Sequence, residues 1–300
     1  MKLVLFDEDF KLGVLKNGNI VDVSASTSNL AYYSPQEMMN QVIENFDSMR
    51  GEIETIVSGS EGVPRDDIRL RAPLPKPTRL VCMAGNYMES GTRSEPGPIA
   101  AFNKSNNSVI GNGDTIMLPN APATVFEHEA EFAIVIGKTS TNVQPNEAFN
   151  HIFGYTNFID VSCRGIGPAG ADNFFIGKSW HTFGPMGPAL VTSDEIANAQ
   201  ELPIKLWVQG VLRQDYNTND MAHKIPELIA WVTSITTLEA GDVIACGTNH
   251  RGLGPLQNGD TVEIEIGDFG KLTNQVIDTV TPAREWVRET RAQKEARESS

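Results

Sequence analysis

From Leu80 onward the chain repeats one pattern, a short run of apolar and β-branched residues, often alternating with polar ones and closed by a glycine. "RLVCMAG", "EFAIVIG", "IKLWVQG" and "TVEIEIG" are the clearest cases, and each predicts a strand. Residues 1 to about 30 alternate in the same way, and "KNGN" at 16–19 supplies a turn, so the chain opens with a hairpin-rich unit. Next comes a helical period. Ser34 caps it, Pro35 takes the first position, Glu37 completes a capping box, and Met38, Met39, Val42, Ile43 and Phe46 form one apolar face. Its methionines read most simply as core packing.

"APLPKPT", residues 72–78, places three prolines in seven positions, which neither a helix nor a central strand accepts. The expected fold class is therefore α+β and mainly β. A small N-terminal α+β domain covers 1–72, a strand-rich domain with one or two brief helices covers 79–282, and a charged tail covers 283–300. The tail alternates charges along a helical period and predicts a solvated or frayed segment. There is no internal repeat, and no glycine cluster follows a strand in the way a dinucleotide or P-loop site requires.

Composition narrows the class of partner. The 300 residues are 40% apolar and 21% charged, enough for one large core or two unequal ones. With 24 basic against 38 acidic side chains the net charge is -14, and no basic patch interrupts it, so nucleic acid is not an expected partner. Cys82, Cys163 and Cys246 are widely spaced and outside any CxxC pattern, which predicts reduced thiols. Asp7, Glu8 and Asp9 fall where a signal peptide needs an apolar run, and no stretch reaches membrane-spanning length. The expectation is a cytoplasmic protein with no membrane partner.

The chemistry concentrates in "FEHEAEFAIVIGK", residues 126–138. Read as one strand over 126–137, it puts Phe126, His128, Ala130, Phe132, Ile134 and Ile136 on one face and Glu127, Glu129 and Glu131 on the other. One reading is a half-buried strand that shows acids to water. The other starts from Ala133 and Val135, which continue the glutamate face into apolar character and so place its acidic end in an enclosed space. Enclosed like charges need a cation. Carboxylates are hard oxygen ligands suited to Mg2+ or Mn2+, with Ca2+ a further candidate, whereas zinc favours His and Cys at closer spacing. Asp160, in "GYTNFIDVSCRG", and Lys178, in "GKSWHTFGPMGP", are candidates for a third ligand and its surroundings, although a lone acid or lysine is commonly an ordinary surface residue.

These stretches together resemble the fumarylacetoacetate hydrolase family. The resemblance runs from about Thr78 to Val276 through "GNY" (85–87), "FNK" (102–104), "EHEAEFAIVIG", "GYTNFIDVSCR", "GKSWHTFGPMGP", "TLEAGDVIACGT" and "LQNGDTVEIEIGDFGKL", in that order. It implies a mixed β-sandwich roll as catalytic domain, preceded by a small N-terminal domain, in a homodimer. It also implies Glu129, Glu131 and Asp160 as ligands of a divalent cation, Lys178 beside it, Thr182 nearby, and Thr248 as the substrate-contacting threonine. Glu127 lies outside the ligand pattern. Lys104 and Arg164 are candidate contacts to a substrate carboxylate, with a surface role as the alternative for each.

The implied chemistry is cleavage of a carbon-carbon bond in a small β-dicarbonyl or acylpyruvate-like keto acid, through an enolate stabilised by the metal. The sequence departs from the pattern at one functional point. The family's water-activating His and Glu after "NY" fall on Ser90 and Arg93. Hydrolysis then needs another base, and Glu89 and His250 are the nearest candidates. Further departures are Ile159, Gly165, Gly167 and Asn249, while His128 and His181 are read as structural histidines. Decarboxylation of an oxaloacetate-like acid, or isomerisation of a 2-oxo acid, needs no such water and is the close alternative; a non-catalytic small-acid binder is the alternative of another kind. Residues 86–98, with Gly91, Pro96, Gly97 and Pro98, are expected to form a mobile loop over the site.

Overall fold

The computed structural model describes residues 1–167 and 173–289, together with Gln293 and Ala296. Three antiparallel strands open the chain: β1 (Lys2–Phe6), β2 (Lys11–Lys16) and β3 (Asn19–Asp22). The β2–β3 turn is the expected one. Asn17 and Gly18 have φ of 51° and 85°, the two positive values that a tight hairpin turn requires.

Helix α1 spans Pro35–Glu44. The Ser34 hydroxyl accepts from the Glu37 backbone N–H at 3.2 Å, while the Glu37 carboxylate reaches the N–H of Tyr33, one residue before the cap, at 2.7 Å. Phe46 does not continue this helix. Asn45 leaves helical geometry, and Phe46 begins a second helix, α2 (Phe46–Ser58), absent from the sequence expectation. Its buried residues are only Phe46, Met49 and Ile53, and Gly51 interrupts the period, so its apolar stripe is too sparse to read unaided.

The remaining strands are β4 (Val63–Pro64), β5 (Leu70–Arg71), β6 (Leu80–Met83), β7 (Ala101–Asn103), β8 (Val109–Ile110), β9 (Thr115–Leu118), β10 (Val125–Glu127), β11 (Ala130–Ile136), β12 (Ile152–Ile159) and β13 (Ser162–Arg164). The short helix α3 (Phe174–Lys178) precedes β14 (Gly184–Thr192), β15 (Pro203–Val208) and β16 (Val211–Asn217). Helix α4 (Ile225–Ile235) is followed by β17 (Val243–Ala245), β18 (Thr261–Ile266) and β19 (Leu272–Asp278). The fold is α+β with mixed sheets. A large sheet runs β4-β3-β2-β1-β14-β12-β11-β17-β6-β7, and a smaller one runs β16-β15-β18-β19-β9.

Strand β11 lies at the centre and is buried along its whole length. Phe132, Ile134 and Ile136 join a core with the smaller sheet and α4, while Ala133 and Val135 join a second core with α1, α2 and the first strands. Residues 1–72 thus share both a sheet and a core with the strand-rich region: β1 pairs with β14 through Lys2 and Val191. The proline-rich stretch between them is itself partly covered, with Pro73, Leu74 and Pro77 buried. All three cysteines are free and buried.

The tail departs from expectation where it is described. Residues 283–289 form no helix; Arg284, Trp286 and Arg288 dock against the protein, while Ala283, Glu285 and Val287 between them are exposed. Arg284 holds Asp278 through Nε at 2.9 Å and a second guanidinium nitrogen at 2.7 Å, Trp286 packs edge-on to Phe126 at 5.7 Å, and Arg288 reaches Asp260 at 2.5 Å. Alternating charge signalled a solvated face because the sequence does not show that these arginines find the buried carboxylates of Asp278, in β19, and Asp260, just before β18. Residues 290–292, 294–295 and 297–300 of the tail lie outside the described residues.

Candidate active site

The strand read over 126–137 is two strands. β10 pairs with β13 in a separate ribbon, and β11 pairs with β12 in the large sheet, so the chain changes sheets at His128 and Glu129. The paired segment changes sheets at the same level, at Asp160 and Val161, and the Asp160 N–H donates to the Glu129 carbonyl at 2.9 Å. The alternation survives the break, since Phe126 lies in the same core as Ala130 and Phe132. These opposed crossings bring three carboxylates together. Ligand oxygens of Glu129, Glu131 and Asp160 lie within 4.8 Å of one another, and all three residues are buried.

Cations surround two of the three. Lys178, at the end of α3, donates to Glu129 at 2.6 Å and to Asp160 at 2.7 Å. Lys104 donates to the other Asp160 oxygen at 2.6 Å. Arg164 bridges Glu129 and Glu127, with Nε at 2.8 Å from Glu127, and the Ser162 hydroxyl donates to Glu129 at 2.9 Å. Burial works against the charge of Glu129, yet Lys178 and Arg164 hold its carboxyl far below the usual range. Glu131 is different. Among the described residues no ion pair reaches it, and its one hydrogen bond comes from the Gly247 N–H at 3.1 Å. Burial, then the neighbouring Asp160 and Glu129, push its carboxyl well above the usual range. A hard divalent cation fits this set: three buried oxygen donors, one of them an uncompensated carboxylate.

A second group of side chains gathers on the turn after β17. The Glu89 carboxylate accepts from His250 Nδ1 at 2.6 Å and from the His250 N–H at 2.8 Å. Burial raises the Glu89 carboxyl, but the hydrogen bonds from the His250 ring and backbone N–H outweigh this and carry it below the usual range. Three of the departures from the family pattern, Ser90, Arg93 and Asn249, meet here. Asn249 donates to Asp220 at 2.8 Å and to Ser90 at 3.3 Å, the Ser90 N–H donates to Asp220 at 3.0 Å, and Arg93 lies 3.7 Å from Glu89. Glu89 and Ser90 both carry positive φ, 57° and 56°, an uncommon backbone for residues with a Cβ, so the loop is bent to present Glu89 inward.

Of the other residues singled out in the sequence, Thr248, Thr182, His128 and Lys104 are all buried. Thr248 is buried and its hydroxyl lies 2.9 Å from Gln214 Nε2. Thr182, with φ of 71°, accepts from the Met117 N–H at 2.8 Å. His128 is a buried structural histidine bonded to Gln214 at 3.0 Å, its pKa lowered by burial to about 4. Lys104 corrects the expectation of a substrate contact. Its side chain is 0% exposed, and its ammonium donates to Asp160, the Lys178 carbonyl and the Val161 carbonyl, so its donors are used in holding a ligand carboxylate. His181 is exposed.

Gln214 and Tyr216 are residues that sequence reasoning passed over. Both are buried on β16 while Val211 and Leu212 of the same strand are exposed. Gln214 and Tyr216 stand two positions apart and share a face, but the adjacent Val211 and Leu212 break any period-two alternation, so the sequence carries no signal for them.

The model for the fumarylacetoacetate (FAA) hydrolase C-terminal family matches residues 79–277. Oxaloacetate tautomerase YisK of Bacillus subtilis (strain 168) is 37% identical over 222 residues, 70% of this chain and 73% of that one. The maleylpyruvate hydrolase of Aquipseudomonas alcaligenes is 32% identical over 289 residues, 91% of this chain and 98% of its own. Among solved structures, maleylpyruvate hydrolase from Sphingobium sp. SYK-6, in complex with manganese(II) ion and pyruvate, superimposes with a TM-score of 0.83 at 33% identity, covering 93% of this chain and 99% of that one.

Proposed function

Because the chain belongs to the fumarylacetoacetate hydrolase family of enzymes, we propose that it hydrolyses a carbon-carbon bond in a small acylpyruvate-like 2-oxo acid, using a divalent cation held by Glu129, Glu131 and Asp160. When bound, Mn2+ or Mg2+ supplies Lewis acidity to the oxygens of the 2-oxo acid, the chemistry that lets an enolate leave. The observation that carries hydrolysis is the Glu89–His250 pair. A carboxylate can only accept, so Glu89 fixes the proton of His250 on Nδ1 and leaves the Nε2 lone pair as a base.

In this reading His250 Nε2 takes a proton from water as the water oxygen bonds to the acyl carbon. The bond from that carbon to the methylene carbon breaks, its electron pair becomes the enolate of pyruvate, and a proton from the imidazolium completes pyruvate beside a carboxylic acid. Lys178 lies against the site and offsets the developing negative charge. Arg164, about a third exposed beside Glu129, and Thr248 take the substrate carboxylate, with Thr182 supporting that wall.

A second reading is favoured by Ser90 and Arg93 at the positions of the family's lid pair: tautomerisation or decarboxylation of an oxaloacetate-like diacid, where the same imidazole moves a proton on carbon and no water is split. The test is the metal-loaded protein on acylpyruvates and on oxaloacetate, with products identified by NMR. Pyruvate with an equimolar second acid supports hydrolysis. Enol–keto interconversion or carbon dioxide release alone supports the second reading, and metal binding with no turnover leaves a small-acid binder.

A further inference from the structure

Gln214 ties the two halves of the site, and the direction of each of its hydrogen bonds is fixed by backbone groups. The Ala130 N–H can only donate, and it meets Oε1 at 3.0 Å; the Asn249 carbonyl can only accept, and it meets Nε2 at 2.8 Å. The amide cannot be reversed. The second Nε2 proton must therefore point to Thr248 Oγ1, 2.9 Å away. Tyr216, two residues along the same strand, donates its single hydroxyl proton to the Ala130 carbonyl, so its contact with Thr248 at 3.2 Å leaves Tyr216 the acceptor. Ala130 stands between the ligands Glu129 and Glu131, and Thr248 stands between Gly247, bonded to Glu131, and the His250 turn.

From this polarity we infer that Gln214 is a positioning residue that biases Thr248 to donate its proton toward an anionic oxygen of the substrate. One lone pair of the Thr248 oxygen is taken by the amide of Gln214, and its proton has within the protein only the long contact with the neutral Tyr216 hydroxyl, a partner that a charged oxygen of a ligand outcompetes. A free hydroxyl would present lone pair or proton with equal ease. The fixed one donates to a carboxylate or enolate oxygen and, with one lone pair already used, has less acceptor capacity for an alcohol or amine. The inference rests on the 2-oxo acid reading above.

The test uses Mn2+-loaded full-length protein and oxalate, a planar dianion that mimics the pyruvate enolate, titrated by calorimetry. T248V and Q214M each weaken oxalate roughly 10- to 100-fold, as expected for a lost hydrogen bond to a charged group, and T248S restores it to within about twofold. The T248V/Q214M double variant is no weaker than T248V, because both remove one interaction. Q214E keeps the acceptor for Ala130 and serves if Q214M fails to fold; once ionised it draws the Thr248 proton to itself, so its deficit relative to wild type grows as pH rises. Mn2+ affinity, measured separately, stays near wild type in each variant. Wild-type oxalate affinity in Q214M and Q214E, or effects that multiply in the double variant, would overturn the inference alone. Wild-type protein that binds Mn2+ but not oxalate overturns both it and the reading beneath it.

Discussion

Replacing Arg284 by methionine is expected to destabilise the protein by about 3 kcal/mol, through loss of a paired charge rather than loss of packing. The Asp278 side chain is 0% exposed and Arg284 is 21% exposed, and their contact is bidentate. The same guanidinium donates to the carbonyls of Ala121 at 2.9 Å and Pro119 at 2.8 Å and lies over the Phe126 ring at 4.8 Å. Methionine keeps much of the contact with Phe126 and Trp286 but leaves Asp278 with backbone donors only, from Val280 and residue 284. Removing one partner of a buried pair costs roughly 3–5 kcal/mol, and the lower end applies because Arg284 is partly solvated. At roughly 2–4 °C per kcal/mol, the melting temperature at pH 7 falls by about 6–12 °C.

Acid supplies a check on the cause. Burial raises the Asp278 carboxyl, but its hydrogen bonds to Arg284 outweigh this and hold it below the usual range. A depressed folded pKa gives stability that is present above the unfolded value and lost as pH falls through the folded one. The difference between wild type and R284M should accordingly narrow in acid, and R284M/D278N should recover part of the loss at pH 7. Scanning calorimetry across pH measures both. A melting temperature for R284M within about 1 °C of wild type, or a deficit that widens as Asp278 is protonated, would refute the buried-pair account.

Substituting Glu131→Gln weakens Mn2+ by more than the roughly 10- to 100-fold that loss of an outer partner costs, read by calorimetry. Since the Glu131 carboxyl is raised by burial and by Asp160 and Glu129, metal-free wild type loses stability as pH rises from the ordinary carboxylate value toward the raised one, so metal-free E131Q melts higher than wild type at pH 8. E89Q and H250N lower kcat on an acylpyruvate by roughly 100- to 10,000-fold with little change in KM in steady-state kinetics. Burial holds His128 neutral with a pKa of about 4 against 6.5, so its contribution is complete above 6.5 and lost as pH falls toward 4; H128F should flatten that part of the urea-denaturation profile.

What the sequence made legible was local. Strand runs, the Asn17–Gly18 turn and the Ser34 cap each depend on residues a few positions apart, and each is present in the fold. The cluster of three carboxylates was legible for the same reason: Glu129 and Glu131 are two positions apart, and Asp160 follows a strand paired with theirs. The misses are long-range. Nothing near Lys104 announces that its ammonium is enclosed by Asp160 and the Lys178 carbonyl, and nothing near Arg284 announces a buried carboxylate. Gln214 reaches Ala130 across 84 positions, and its importance lies in the direction of its hydrogen bonds, which no period in the sequence encodes. Glu89 and His250 are 161 positions apart, and only the mismatch at Ser90 and Arg93 pointed to a replacement pair.

For the proposed acidic substrate, the local charge balance matters more than the charge of the whole chain. Around the ligand set stand the carboxylates of Glu89, Glu127, Glu129, Glu131 and Asp160 and the cations of Arg93, Lys104, Lys178 and Arg164. With every carboxylate ionised that is one negative charge in excess, which a divalent ion turns into one positive charge in excess. The chain's net charge of -14 is spread over its surface and screened beyond a Debye length of about 8 Å at physiological ionic strength, whereas Lys178 and Lys104 are enclosed with the ligands and act at close range in a poorly screened space. The buried ammonium groups have two effects. Before metal binds they compensate Glu129 and Asp160, and once it is bound they make the site cationic, so affinity for an anionic keto acid depends on metal occupancy more than on the field of the whole molecule. Among the described residues Glu131 makes no ion pair, Lys178 acting on it only at a distance, so it is the carboxylate that the proposed cation would compensate most.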